Sequence, residues 1–515
     1  MVGWSPTLET IHQVRQGLVV TTGSSPSKGI LMPFTFVANL KPYTFHRGRG
    51  VRRFDAYLLS VDFSGGNLED LAADVVRDDA KLCADNGNVD AIRQLTHTFG
   101  PPAQALDARR KDEEAVLGRY ARPGELSGSL TTDYQALAKN IQEAAATATP
   151  EPYIRKAVAG QHAMKASYAI GMEDLTIATL TGLSIEPEYA MLPAGFYAER
   201  NARAVDLARR TMDGDFGEPP AQVFAGVHAL DYDQAVDAGR LVGEAGLSGI
   251  ATGLVGALRD KNAVDFRVEN RRLFELGETT ARPYLRVLEI AAGLHVGFHR
   301  ATGRRPDFHA LGAGSPILLP LLGLLSHDDV FTATDSTAPI VDGWSGATIS
   351  LYVDDPAPLK LRPERIAQSW LEGGRGWDCD CAYCRGFEEA HPADLAGAAR
   401  WWAEHGKPKI TKAHLGRHDN LSTHLPYLGH HPDVDIRTAA GLARVGHNHS
   451  VLQRLERIVR EAVSSGDTAV LHDLVEAYLA FPGLDRWRAS ARHALHVAEQ
   501  GRRHMAASTG ASITR

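Results

Sequence analysis

Apolar residues fall along this chain in short runs. Between most of the runs the spacing changes to three and four, the repeat of a helix with one buried face. The runs that read as strands are "ILMPFTFV" (30–37), "DAYLLSV" (55–61), "KLCA" (81–84), "DLTIATL" (174–180), "QVFAGV" (222–227), "GIATG" (249–253), "FHALGAG" (308–314) and "DVFTAT" (329–334). Segments such as "AERNARAVDLARRTM" and "DQAVDAGRLVGEAG" read as the helices between them. Strands alternating with helices in this way predict an α/β chain whose parallel sheet closes into a (β/α)8 barrel. The interval 86–173 is too long for a single connection and predicts inserted helices around 90–170. From about 351 the alternation stops. The expected division is a barrel over 1–350 and a second unit over 351–515.

A barrel of this kind builds its site at the C-terminal ends of the strands. In this register the third strand runs into Asp85, the fourth approaches Glu186 and Glu188, the fifth ends at His228, the sixth at Thr252 and Gly253, and the eighth at Asp335. Each alone is an ordinary turn or capping residue. Several together indicate a site.

Composition narrows the class. The chain has 515 residues, 44% hydrophobic and 23% charged, which is ordinary for a globular protein. "ILLPLLGLL" is its most apolar stretch and falls short of the roughly 18 residues of a membrane span. The start lacks the basic and apolar regions of a signal peptide, so a cytoplasmic protein with no membrane partner is expected. A net charge of −7 argues against an all-over nucleic-acid surface, although two local patches are basic. "HRGRGVRRF" carries Arg47, Arg49, Arg52 and Arg53, and "HGKPKITKAHLGRH" carries Lys407, Lys409, Lys412 and Arg417.

Four cysteines are too few for a disulfide framework, and three of them lie in "GWDCDCAYCRGF" as Cys379, Cys381 and Cys384. Clustered thiolates from one loop are a common way to supply a tetrahedral zinc ion. A thioredoxin-like redox pair would leave Cys379 unexplained and lacks its βαβ context. The spacing C-x-C-x2-C gives three ligands. Many histidines follow; His447, opening the helical pattern "HNHSVLQRLERIVREAV", has the best context for the fourth, with His414 second.

The cluster, the "HN" before a long Arg-containing helix and the predicted barrel together resemble the tRNA-guanine transglycosylase family. "QVFAGVHALDYDQAVDAGRLVGEAGLSGIATGLVGA" is similar to that family's central section with its F-G-I-V-Q-G-G and G-G-L segments. "HALGAGSPILLPLLGLLSHDDVFTATDS" is similar to its L-G-x-G-x-P stretch, which leads to the strand bearing a nucleophilic aspartate, and "ADNGN" stands where T-D-S-G-G-F is usual. The chain departs from the family at His228, where Gln is usual, and at Thr252, where Gly is usual. It departs again in the "TATDSTAP" context of Asp335 and in the 63 positions from Cys384 to His447. Such departures resemble a divergent branch that exchanges guanine in DNA for a 7-deazaguanine such as preQ0.

The resemblance implies base exchange, with Asp335 attacking the anomeric carbon and Asp85 acting as general acid and base. It also implies that Glu186, or Glu188, hydrogen-bonds the purine, that His228, Thr252 and the backbone of Gly253 and Leu254 line the pocket, and that the zinc is structural. A target base inside a duplex would have to be flipped out. The expected partners are nucleic acid, a 7-deazaguanine base and, as the family would suggest, a second copy or accessory modification proteins. The alternatives are the same exchange on tRNA, and a non-catalytic barrel that binds nucleic acid.

Overall fold

Short runs rich in β-branched, aromatic and small residues form eight strands in a computed structural model of the chain. The structure describes residues 33–39, 55–61, 70, 72, 73, 75, 80–185 apart from 119, 120, 122, 123 and 184, 195–254, 283–349, 360–373, 379, 381–416, 421–480 and 485–510. The strands are β1 (Phe34–Asn39), β2 (Ala56–Ser60), β3 (Lys81–Asp85), β4 (Tyr168–Ile170), β5 (Val223–Gly226), β6 (Gly249–Gly253), β7 (Asp307–Leu311) and β8 (Thr332–Asp335). Each pairs in parallel with its neighbour in sequence, and β1 closes on β8 through Phe34–Val37 against Thr332–Asp335. The fold is a (β/α)8 barrel.

The helices between β3 and β4 are α1 (Asn88–Leu117), α2 (Gly128–Ala148) and α3 (Glu151–Ala163), followed after β4 by α4 (Leu175–Gly182) and α5 (Phe196–Met212). The ring continues with α6 (Tyr232–Glu244), α7 (Pro283–Thr302), α8 (Leu318–Gly323) and α9 (Ala338–Trp344). A two-stranded antiparallel pair, β9 (Thr348–Ile349) and β10 (Lys360–Leu361), follows. Beyond it lie α10 (Pro363–Leu371), α11 (Ala382–Ala390), α12 (Leu395–Glu404), α13 (Leu421–His424), α14 (Val434–Ser465), α15 (Thr468–Leu479) and α16 (Asp485–Gly510).

The fourth strand is a correction. "DLTIATL" forms α4, and the strand is the shorter "YAI" upstream. The Asp174 carboxylate accepts from the Thr176 N–H at 2.8 Å, turning the chain into a helix. Ile177 and Leu180 are buried against Leu106, Leu130, Tyr134 and Ile141 of α1 and α2. An apolar run of seven residues fits a buried helix as well as a buried strand, and the inserted helices supply the surface that decides it.

Two layers of core fix the strands. The lumen is filled by Val37, Cys83, Tyr168, Phe224, Ala251 and Phe331. Tyr168 stacks on Phe224 at 4.6 Å between ring centroids. A side chain at Gly249 would lie 2.1 Å from the Phe224 ring, so the sixth strand opens on the one residue that leaves room for it. Outside, α6, α7 and the C-terminal helices bury Val242, Leu288, Leu294, Leu455, Val459 and Leu474 in the largest apolar cluster.

The helix α14 joins the two halves of the chain. Its Leu452 packs with Phe36 and Tyr57, and its Glu456 accepts from the Thr35 hydroxyl at 2.9 Å. Its Arg460 donates to the Phe34 carbonyl at 3.1 Å, pairs with Asp55 at 2.7 Å and also bonds Glu456. Burial pushes the Glu456 carboxyl up to about 7, against the pull of Arg460. No described helix is long and apolar enough to cross a membrane.

Candidate functional site

Two sites emerge, one outside the barrel and one at its mouth. Outside, Cys379, Cys381, Cys384 and His447 bring their ligand atoms within 4.8 Å of one another. His447 Nδ1 is 3.2 Å from Cys379 Sγ and 3.6 Å from Cys381 Sγ. Its Nε2 donates to the Ile349 carbonyl at 2.8 Å, which fixes the ring with Nδ1 toward the thiols. Cys381 N–H donates to Cys379 Sγ and Cys384 N–H to Cys381 Sγ, both at 3.4 Å.

This is the donor set of a structural zinc site, with four protein ligands and no open position. Without a cation the arrangement is electrostatically frustrated. Burial pushes the Cys384 thiol well up, while hydrogen bonds from Cys379 and Cys384 hold the Cys381 thiol far down. Burial lowers the His447 pKa, yet the sulfur contacts raise it to about 9. A bound zinc ion, by favouring thiolate and neutral imidazole, would oppose the rises at Cys384 and His447 and reinforce the fall at Cys381.

His447 was expected to open a helix. It lies in the middle of α14, thirteen residues after Val434. Gly446, beside it, carries no side chain because the Tyr383 ring would lie 2.3 Å away, so the cysteine loop rests directly on the helix. His414 is outside the cluster; its Nδ1 accepts from the Thr411 N–H at 3.1 Å.

At the mouth, β8 ends on Asp335, whose Oδ1 accepts from the Gly312 N–H at 2.9 Å and lies 3.3 Å from His309 Nε2. The imidazole is fully buried, and its contact with the carboxylate is close without being aligned for a hydrogen bond. Burial keeps Tyr168 protonated, and its hydroxyl and His309 Nδ1 share a hydrogen bond at 3.1 Å. Asp335 itself retains 14% side-chain exposure, while His309 has none.

Asp85 ends β3, with Oδ1 accepting from the Asn86 N–H at 2.8 Å. Cys83, two residues earlier on the same strand, lies close enough to feel the charge of both carboxylates. Burial pushes its thiol well up, a hydrogen bond to Tyr168 opposes that, and the charges of Asp85 and Asp335 add to the rise. The two acids therefore act on one region of the lumen.

His228, just past β5, bonds Glu173 Oε2 through Nε2 at 2.8 Å. Asn201 of α5 holds the His228 peptide on both sides, accepting from its N–H at 2.9 Å and donating to its carbonyl at 2.7 Å. A β-carbon at Gly253 would lie 3.8 Å from the His228 ring, so the ends of β5 and β6 meet there. Thr252 is buried at 2% exposure, and the Leu254 N–H is engaged by the Leu311 carbonyl at 3.0 Å, so that donor is not open to a substrate.

Glu186 and Glu188, Arg417, and the Arg47–Arg53 patch lie outside the described residues. Lys407, Lys409 and Lys412 are exposed. Sequence reasoning missed Glu173, His309 and Tyr168. With the fourth strand placed correctly at 168–170, Glu173 falls in the same strand-end position that singled out the other candidates.

No protein-family model matches the chain, and no curated protein matches it. What fold and site define together is a (β/α)8 barrel, an architecture that commonly carries enzymes, joined to a Cys3His structural zinc site.

Proposed function

We propose that this protein is a base-exchange transglycosylase that replaces guanine in nucleic acid, DNA in the first instance, with a 7-deazaguanine base such as preQ0. The observation that carries the reading is the carboxylate of Asp335. It ends the last barrel strand, partly exposed at the functional face, with Oδ1 held by the Gly312 N–H. Its other oxygen is left for attack on the anomeric carbon of a flipped nucleotide. That bond forms as the C1′–N9 bond breaks, and Asp85 gives its proton to the departing guanine. Asp85 then takes a proton from the incoming base, whose N9 attacks C1′ and releases Asp335. One carboxylate attacks as the anion and is released as the anion, while the other cycles its proton, the division of labour that double displacement requires.

Glu173, held by His228, is the acceptor suited to purine N–H groups at the end of β4. Cys379, Cys381, Cys384 and His447 would hold zinc, which supplies rigidity and no chemistry. The exposed Lys407, Lys409 and Lys412 suit phosphate contacts.

The test is exchange of labelled guanine into plasmid DNA and into bulk tRNA, with zinc-loaded protein and accessory proteins supplied. Label in DNA that disappears with Asp335→Asn supports the reading. Label only in tRNA moves the same chemistry to the other substrate. Label in neither overturns the enzymatic reading and leaves a nucleic-acid-binding barrel.

A further inference from the structure

A polar cluster lies beneath Asp335 in the lumen. It joins three strands through His309 of β7, Tyr168 of β4 and Cys83 of β3. All three side chains are buried, and burial pushes the Tyr168 hydroxyl and the Cys83 thiol well up, so both stay protonated.

The Tyr168 hydroxyl is 3.1 Å from His309 Nδ1. Its other polar contact among the described residues is the Cys83 thiol, a weak acceptor. The O–H is therefore best satisfied by a lone pair on Nδ1. On the other side of the ring, Nε2 lies 3.3 Å from Asp335 Oδ1. A bare Nε2 would set two acceptors against each other at a fully buried imidazole. A protonated Nε2 turns the same contact into attraction. Both ends of the ring favour the proton on Nε2.

We propose that His309 is the positioning residue of Asp335: it holds a proton on Nε2 and directs it at Oδ1, so that Oδ2 is the oxygen that attacks. This role rests on the base-exchange reading. The Gly312 N–H, 2.9 Å from the same oxygen, is the other donor, and both come from β7 and the turn that follows it. The His309 contact is not aligned in the free protein, and a small rotation of the carboxylate toward C1′ closes it. In the glycosyl-enzyme Oδ1 becomes the carbonyl oxygen of the ester. When the incoming base displaces Asp335, the electron pair of the C1′–Oδ2 bond returns to the carboxylate, and the two donors on Oδ1 stabilise that charge.

Proton–nitrogen correlation NMR of the full zinc-loaded chain, isotope-labelled at histidine, reads the proton directly, with the His309 signals assigned by their loss in His309→Gln. A proton on Nε2 whose resonance moves in Asp335→Asn is expected. A ring without a proton on Nε2, or one indifferent to Asp335→Asn, overturns the proposal whether or not the protein exchanges bases. In the exchange assay His309→Met, which fills the space without a donor, should lower kcat about 10- to 100-fold with KM for the nucleic acid unchanged. His309→Gln, which restores an N–H, should recover most of that loss. Tyr168→Phe, which keeps the ring stacked on Phe224, should cost about fivefold. Equal activity in the Met and Gln variants would make His309 a filler of space and overturn the proposal. Wild-type protein that exchanges no base removes the transglycosylase reading alone, and the NMR result then decides the contact by itself.

Discussion

The zinc site and the barrel mouth are built in opposite ways. Three of four zinc ligands come from six consecutive residues, and the fourth stands on a helix whose glycine lets the loop touch it. The mouth gathers Asp85, Glu173, His228, Gly253 and Asp335 from the ends of five strands, with Glu173 and His228 bonded to each other and Asp335 held by the Gly312 N–H. A metal site made of near neighbours tolerates little variation in spacing but needs little of the fold. A strand-end site needs the whole barrel closed before any of its groups meet.

The largest expected separation of the two comes from Asp335→Asn. Exchange should fall by about 10^4-fold or more, with zinc content and melting temperature unchanged. Loss of zinc or of stability would mean that the mouth and the metal site are coupled. Cys381→Ala is the converse. Metal analysis should show zinc lost, and urea unfolding should show a loss of at least about 3 kcal/mol. Stoichiometric zinc in that variant would remove the cluster as a metal site.

The joint between the two regions is sensitive to pH. The Glu456 carboxyl, pushed up to about 7 by burial, holds its proton more tightly in the folded chain than in the unfolded one, where 4.5 is the ordinary value. The unfolded state then binds fewer protons between pH 4.5 and 7, so this group's contribution to stability is lost as pH rises through that window. Glu456→Gln should flatten the wild-type fall in urea midpoint between pH 5 and 8, a difference of up to about 3 kcal/mol. A parallel pH profile in the variant would remove Glu456 as the source.

The smallest effect expected is that of Gly446→Ala, which places a methyl 2.3 Å from the Tyr383 ring. It should cost about 1–3 kcal/mol and weaken zinc retention against a chelator, with the barrel's melting otherwise intact.

Seven of the eight strands were legible as short apolar runs in the right order. The fourth was not, because "DLTIATL" is a short run that suits a buried strand as well as a helix, and the packing of Ile177 and Leu180 on the inserted helices decides for the helix. Asp85 and Asp335 could be placed at strand ends because both follow directly on a run. Glu173 could not be placed, since its strand is three residues long, and His309 was hidden inside a strand whose lumen-facing side has no marker in one dimension.

By itself the sequence determined the α/β alternation, the three cysteines and the candidate acids, because these depend on residue type and short-range spacing. The sequence ranked His447 first among the fourth ligands and the tertiary structure brought it to the cysteines, while the tertiary structure alone decided that His228 is bound to Glu173 and that His309 stands under Asp335. Those are meetings between residues far apart along the chain, fixed only when the parallel strands register with one another and the barrel closes.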